Sequence, residues 1–325
     1  MQSLWMLVAS LLFSIMGVCV KLSASHFSTS EVVLCRGLVG VIFIIGLIKI
    51  RGGTLRTAFP RDHLIRGGIG VISLWMWFYS FRLLPVATAT TLNYMSSIWM
   101  AAILFCAAWW QGKKRFEWGL AAAVIFSFIG VALLLRPSID ASQIAGGIVA
   151  LVSGVLSAIV YLQVRKLGLL GEPEYRVVFY FSLTGFLAGL GGCLSSGEIP
   201  FYHPVSAQGL ALVITIGLTA TLAQIAMTRA YRLGNTLVTA NLQYSGIVFS
   251  SLLGLVIWHD ALGWMGWTGL AIILLSGVAS TFYHQATESA LQPANDPIPP
   301  SESQKLSDSH PATIDLEENP WPIQR

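Results

Sequence analysis

The feature that most constrains this chain is a series of apolar stretches, each near 20 residues long and almost free of charge. A helix needs about 20 mostly apolar residues to cross the hydrocarbon core of a bilayer. In lipid such a stretch must satisfy its own backbone hydrogen bonds, which makes it a helix. The predicted segments, numbered 1 to 10, cover approximately 3–21, 31–50, 66–84, 88–109, 116–135, 144–164, 176–195, 207–228, 236–257 and 263–283.

The composition agrees with an all-α integral membrane fold. Only 10% of the residues are charged and 55% are hydrophobic, whereas soluble domains carry about 25% charged residues. The four cysteines lie in apolar runs without the spacing of metal ligands. We therefore interpret them as buried apolar residues and predict neither a metal nor a cofactor. The apolar stretch from Leu4 to Val20 lacks the basic start of a signal peptide, so it is kept as segment 1.

Basic residues are distributed unevenly between alternate loops. If the N-terminus is cytoplasmic, thirteen Lys and Arg residues, Arg66 among them, fall on the inner side and only Lys21, Arg82 and Arg136 on the outer side. This bias predicts a bacterial-type inner membrane protein with both termini in the cytoplasm, and it explains the basic excess without a nucleic acid partner. Arg36 lies within segment 2, and we interpret it as a structural charge near the outer interface.

The two halves of the chain resemble each other. Leu-Asn-Tyr at 92–94 returns as Leu-Gln-Tyr at 242–244, and Phe-Arg-Leu at 81–83 returns as Tyr-Arg-Leu at 231–233. Because each half holds five segments, the second half must insert inverted, an arrangement typical of transporters with a substrate site near the midplane. The predicted regions are a first five-helix repeat over 1–137, a second over 138–285, and a disordered, acidic, Pro- and Ser-rich cytoplasmic tail over 286–325.

Four stretches carry a resemblance to a known family. They are Val33 to Ile45, Ser80 to Leu92 with its Pro-containing turn, Trp118 to Pro137, and Gly254 to Gly277. Together with the repeated architecture, they make residues 3 to 283 resemble the EamA branch of the drug/metabolite transporter superfamily. The resemblance implies ten transmembrane helices, arranged as two inverted five-helix EamA-like repeats, and transport of small organic solutes.

Carboxylates are missing from the middle of every predicted segment. The family usually has a Glu at the ends of segments 4 and 9, where this chain has Gln111 and either His259 or Asp260. Proton-driven transport usually relies on a buried titratable group. The absence of a carboxylate from the middle of the segments favours a facilitator or an exchanger over a proton-driven transporter.

Polar and aromatic side chains within the segments define a candidate substrate site. Polar residues in lipid are costly and usually face the protein interior or a water-filled path. Serine faces, such as Ser10 with Ser14, are more often helix contacts than cavity lining, and tryptophans within a segment either pack or stack on a flat or cationic substrate. The predicted substrate-binding residues are Trp75, Trp77, Tyr79, Asn93, Tyr94, Ser97, Tyr161, Gln224, Asn241, Gln243 and Tyr244.

These observations predict a carrier that moves a small organic metabolite by alternating access between two inverted repeats. The alternatives are a membrane channel and a non-transporting sensor or scaffold. An integral membrane enzyme is least favoured, because the sequence contains no HExxH, GxSxG or P-loop motif. The expected partners are a small-molecule substrate and the lipid bilayer, while the substrate, the direction, the coupling and the oligomeric state stay open.

Overall fold

The computed structural model describes residues 2–84, 86–110, 144–197 and 206–258, with isolated positions between 122 and 129 and between 264 and 279. Predicted segments 5 and 10 lie almost entirely outside these residues, as do Gln111, His259, Asp260 and the predicted tail over 286–325.

Within these ranges the chain is helical and contains no strand. After a short 3₁₀ turn at Gln2–Leu4 the helices are α1 (Trp5–Ser23), α2 (Thr29–Arg51), α3 (Pro60–Leu83), α4 (Val86–Tyr94), α5 (Ser96–Trp110), α6 (Ile144–Leu169), α7 (Glu174–Ser195), α8 (Ala207–Leu233), α9 (Thr236–Leu242) and α10 (Ser245–Trp258). The described part has seven spans that are long and apolar enough to cross a membrane, one of them formed by α9 and α10 together. The prediction of an all-α membrane fold is confirmed.

The start of α3 corrects one sequence-based assignment. The helix begins at Pro60, because proline suits the first helical position and Asp62 complements the positive end of the helix dipole. It therefore starts six residues before the predicted segment 3. Arg66, counted above among the loop charges of the inner side, lies in the second turn of α3 and is only 1% exposed.

Three antiparallel helix pairs form the bulk of the described bundle: α1 with α8, α2 with α7, and α3 with α6. The α2–α7 pair is held close by glycines, because a Cβ at Gly37 would collide with the backbone of Phe186, and one at Gly189 with the backbone of Leu34. Small residues allow such backbone approach in membrane bundles. In the repeat, α1, α2 and α3 correspond to α6, α7 and α8. If the two halves are exchanged, the α2–α7 pair maps onto itself, while the pairs α1–α8 and α3–α6 change places.

Segments 4 and 9, predicted as continuous helices, are each interrupted. The helix α4 ends at Tyr94 and α5 begins at Ser96, while α9 ends at Leu242 and α10 begins at Ser245. Tight i to i+3 bonds replace the α-helical pattern at the second break, where the amide of Gly246 donates to the carbonyl of Gln243 at 3.0 Å. Short 3₁₀ stretches inside helices often mark functional sites.

Serine hydroxyls satisfy backbone carbonyls around the second break. Ser14 donates to the carbonyl of Gly246 at 2.9 Å, and Ser97 donates to the carbonyl of Ala240 at 2.8 Å. Ser10 approaches the carbonyl of Gln243 at 3.4 Å. A carbonyl left without a partner in a membrane interior is costly. These serines therefore stabilise the interrupted helix.

Candidate functional site

A cavity lies between the three helix pairs and the two helix breaks. The volume open to the centre of a water molecule is about 60 Å³, enough for a few waters. Residues from α1, α2, α3, α6, α7 and α8 line it, together with Asn93 and Tyr94 at the first break and Gln243 at the second. The lining combines apolar, aromatic, amide and hydroxyl side chains with two arginines, Arg36 and Arg66.

Six of the eleven predicted site residues lie in the wall of this cavity. They are Trp77, Asn93, Tyr94, Tyr161, Gln224 and Gln243. The remaining five, Trp75, Tyr79, Ser97, Asn241 and Tyr244, lie outside the lining.

Helix geometry explains why the two aromatic neighbours of Trp77 point elsewhere. Two residues along an α-helix turn the side chain by about 200°, so Trp75 and Tyr79 leave the face that carries Trp77. The ring of Trp75 packs against Gly192 of α7, and Tyr79 is 47% exposed.

The other three residues are buried around the helix breaks. The hydroxyl of Ser97 donates to the carbonyl of Ala240, and the side-chain amide of Asn241 donates to the carbonyl of Ser276 at 3.0 Å. The side chain of Tyr244 is fully buried. These contacts hold the breaks in place.

Two of the three cavity amides, Asn93 and Gln243, also tie helices together. Asn93 donates to the hydroxyl of Ser153 at 2.7 Å, and that serine in turn donates to the carbonyl of Ser73 at 2.9 Å. Gln243 donates to Tyr161 at 3.3 Å and accepts from Tyr231 at 3.2 Å. Both amides therefore face the cavity from positions fixed by hydrogen bonds, which preorganises its polar wall.

Arg66 is the cavity residue that the sequence analysis missed. Its guanidinium donates to Gln224 Oε1 through Nη2 at 3.0 Å, and its guanidinium carbon lies 3.7 Å from the centroid of the Phe181 ring. The signal that could have identified it is helical spacing: Arg66, Gly70, Ser73 and Trp77 recur at i, i+4, i+7 and i+11, and all four line the cavity.

Arg36 also faces the cavity, from α2. It is 4% exposed, and its guanidinium carbon lies 4.8 Å from the centroid of Phe181. The carboxylate of Glu31, five residues before Arg36 on the same helix, accepts a hydrogen bond from the backbone amide of Ser28 at 2.9 Å and so helps to cap α2. Arg36 thus belongs to the same group of residues as Arg66.

The main cavity adjoins a second one of about 40 Å³, and three aromatic residues, Phe13, Trp77 and Tyr94, line both. The rings of Trp77 and Tyr94 line both cavities, and their centroids lie 6.4 Å apart. The second cavity continues along α1 past Gly17 to Lys21. These two rings therefore stand where a path from the main cavity toward the C-terminal end of α1 would pass.

The opposite end of the bundle, where α2, α6 and α8 finish and α3 and α7 begin, is rich in paired charges; it is called the charged end below. Glu172 lies at its centre: its carboxylate accepts from Thr57 at 2.7 Å and from Arg176 at 3.0 Å, and lies 3.3 Å from His63 Nε2. Burial alone would raise the pKa of Glu172, but these hydrogen bonds and the charge of Arg176 hold that pKa below its ordinary value.

Between the charged end and the cavity the side chains are tightly packed. Tyr161 and Tyr231 stack with centroids 5.4 Å apart, and Leu167, Ala230 and Tyr231 are fully buried. Among the described residues, buried side chains of α6 and α8 therefore fill the space between the cavity and the charged end.

Comparison with known proteins agrees with this architecture. Residues 1–136 match the model of the EamA-like transporter family. A solved crystal structure superposes with a TM-score of 0.72 at 21% identity, covering 87% of this chain and 98% of its own. That likeness concerns the fold alone.

Three relatives carry names of transporters. The pseudopaline exporter of Pseudomonas aeruginosa is 27% identical, over 84% of this chain and 93% of its own. The riboflavin transporter of Vibrio cholerae is 26% identical, over 84% of this chain and 90% of its own. The S-adenosylmethionine uptake transporter of Rickettsia conorii is 21% identical, over 79% of this chain and 84% of its own. The prediction of a small-molecule carrier is confirmed at this general level, and the predicted resemblance to EamA-like transporters is confirmed over residues 1–136.

Proposed function

We propose that this protein is an inner-membrane carrier that moves a small organic metabolite by alternating access, with the cavity as its substrate site. The observation that carries the proposal is the cavity itself, which lies between two helix breaks 150 residues apart in the sequence. Interrupted helices around a central site are typical of carriers built from inverted repeats. The symmetric pairing of α1–α8, α2–α7 and α3–α6 supports the same arrangement.

The positive-inside bias supports an orientation in which the charged end faces the cytoplasm, in keeping with the predicted cytoplasmic location of both termini. In this orientation the stacked tyrosines and the Glu172 network close the cytoplasmic side, while the path past Trp77 and Tyr94 leads outward. The described conformation then corresponds to a state closed toward the cytoplasm. Rocking of the two repeats would open the charged end and close the aromatic pair.

The function can be tested by binding followed by counterflow. The purified protein is screened by thermal shift against amino acids, nucleosides, flavins, polyamines and organic acids, since a ligand that binds the folded state raises Tm. A compound that binds is then assayed in proteoliposomes preloaded with the unlabelled compound. A carrier gives a transient overshoot of labelled solute and saturable uptake.

Variants connect the activity to the cavity. We expect Asn93→Leu and Gln224→Leu to lower counterflow at least tenfold, because each removes a polar group from the cavity wall. Thr215→Val is the control: this hydroxyl is on an exposed face of α8 and bonds only within its own helix. Non-saturating uptake without overshoot would indicate a channel instead, and equal counterflow in all three variants would place the substrate site elsewhere.

A further inference from the structure

The cavity holds two buried positive charges whose hydrogen-bonding groups are largely unused. Arg66 is 1% exposed, and its Nε and Nη1 atoms have no hydrogen-bond partner. Arg36 is 4% exposed, and its Nε atom likewise has none. Both side chains line the cavity. Their free donors are therefore available to whatever occupies it.

The two guanidinium groups share one aromatic neighbour. Each guanidinium carbon lies within 5 Å of the centroid of the Phe181 ring, so the two are less than about 10 Å apart. A cation–π contact offsets part of the cost of burying a guanidinium. It does not remove the repulsion between two like charges in a water-poor interior, where charges normally require a partner.

The described part of the cavity wall supplies no counter-ion for the two arginines. Among the described residues that line the cavity none is Asp or Glu. The sequence extends this observation to the remaining predicted segments, since no Asp or Glu lies in the middle of 116–135 or 263–283. The described cavity wall thus offers Arg36 and Arg66 no negative charge, and a ligand in the cavity could supply it.

We propose that the substrate is an organic anion whose acidic group binds between Arg36 and Arg66. Guanidinium groups present planar forks of donors that match a carboxylate. The rest of such a ligand would lie against the apolar and aromatic wall formed by Phe13, Trp77 and Tyr94. Two fixed positive charges disfavour a cationic substrate, which the tryptophans alone would permit. This inference rests on the proposed carrier function and names the substrate class of the same site.

Stability measurements distinguish a binding role from a structural one. Replacing an arginine that awaits a ligand removes unpaired charge, so Arg66→Gln and Arg36→Gln should raise the Tm of the ligand-free protein. Replacing an arginine that holds the fold together should lower it. A gain in stability with a loss of binding is the pattern expected of a functional site.

The experiment compares matched acids and amides on the detergent-purified full chain. The probes are indole-3-acetate against indole-3-acetamide, succinate against succinamide, and glutamate against glutamine, each added at the same ionic strength. The expected result is a rise in Tm with at least one acid, no rise with its amide, and loss of that response in both arginine variants. The controls are Arg61→Gln on α3 and Lys49→Gln on α2, both exposed, which should respond as the wild type does.

The outcomes separate this inference from the carrier function. If neutral or cationic compounds bind and undergo counterflow while none of the acids does, the carrier stands and the anion site is wrong. The anion site is also wrong if the acids act equally on wild type and arginine variants, or if both variants lower the Tm of the ligand-free protein. Failure of every compound to bind or cross contradicts both.

Discussion

The charged end and the cavity hold their charges in opposite ways. At the charged end, Glu172 contacts His63 and Arg176, and Glu174 pairs with Arg232 at 3.2 Å. In the cavity, Arg36 and Arg66 both contact the Phe181 ring and have nitrogen donors without a hydrogen-bond partner. Paired charges can fix the contact between neighbouring helices and loops. Unpaired buried charges lower the stability of the ligand-free protein, and their presence in the interior is best explained by a ligand that pairs with them.

The largest effect is expected when Arg66 is given a carboxylate partner, as the charges of the charged end already have. In Gln224→Glu a carboxylate replaces the amide whose Oε1 already lies 3.0 Å from Arg66 Nη2. We expect the ligand-free protein to gain several degrees in Tm, because the buried guanidinium acquires a charged hydrogen bond. Anion binding should weaken at least tenfold, since the site is then neutralised from within.

The matched control is Gln208→Glu, an exposed position on the same helix, which should leave both Tm and binding near the wild-type values. Unchanged affinity for the acid in Gln224→Glu, measured by titration with the thermal shift as readout, would show that Arg66 does not contact the anion.

The second prediction removes a partner from the paired region. Glu172→Gln leaves Arg176 and His63 without a carboxylate in a site where the glutamate side chain is only 3% exposed. We expect the free energy of unfolding to fall by about 2 kcal/mol, the range for hydrogen bonds to charged groups. Denaturant titration in detergent micelles measures it.

Glu174→Gln serves as the comparison, because the Glu174–Arg232 pair is 20% and 29% exposed and exposed pairs contribute about 0–1 kcal/mol. A loss in Glu172→Gln no larger than in Glu174→Gln would argue that the Glu172 network does not stabilise the charged end.

The smallest expected effect is a pH dependence at the charged end. Because the pKa of Glu172 is held below its ordinary value of 4.5, its contribution to stability is present above that value and is lost as pH falls through the lower folded-state pKa. The difference in Tm between wild type and Glu172→Gln should therefore narrow below pH of about 4.5. A difference that stays constant down to pH 3 would mean that the carboxylate is not the stabilising group.

Much of the fold follows from local composition. Hydropathy reports the length of an apolar stretch directly. The predicted segments therefore agree within a few residues with both ends of α1, α2 and α7 and with the starts of α6 and α8. The breaks in segments 4 and 9 escaped prediction, because they change the hydrogen-bond pattern without changing the composition. The second break is stabilised by serine hydroxyls supplied by α1 and α5, which are distant from it in sequence.

The site was predictable only in part. Asn93, Gln224 and Gln243 were identified because a buried amide without a hydrogen-bond partner is costly in an apolar segment. All three line the cavity. Arg66 was missed because its charge lowers the local hydropathy. The predicted segment 3 therefore began at this residue, and Arg66 was counted with the loop charges. Recognising Pro60 as a helix start would have placed Arg66 inside α3, on the face of Trp77.

The central claim, alternating access around the cavity, is tested most directly by cysteine accessibility. In a background with Cys19, Cys35, Cys106 and Cys193 replaced by serine, one cysteine is placed at Val18, which lines the second cavity, or at Ala230, which is fully buried near the charged end. Maleimide labelling rates are measured in detergent with and without the compound that gives the largest Tm shift. The account predicts fast labelling at position 18 and slow labelling at position 230 without ligand, and ligand-induced changes of opposite sign at the two positions. Rates that rise or fall together, or that ignore the ligand, would contradict it.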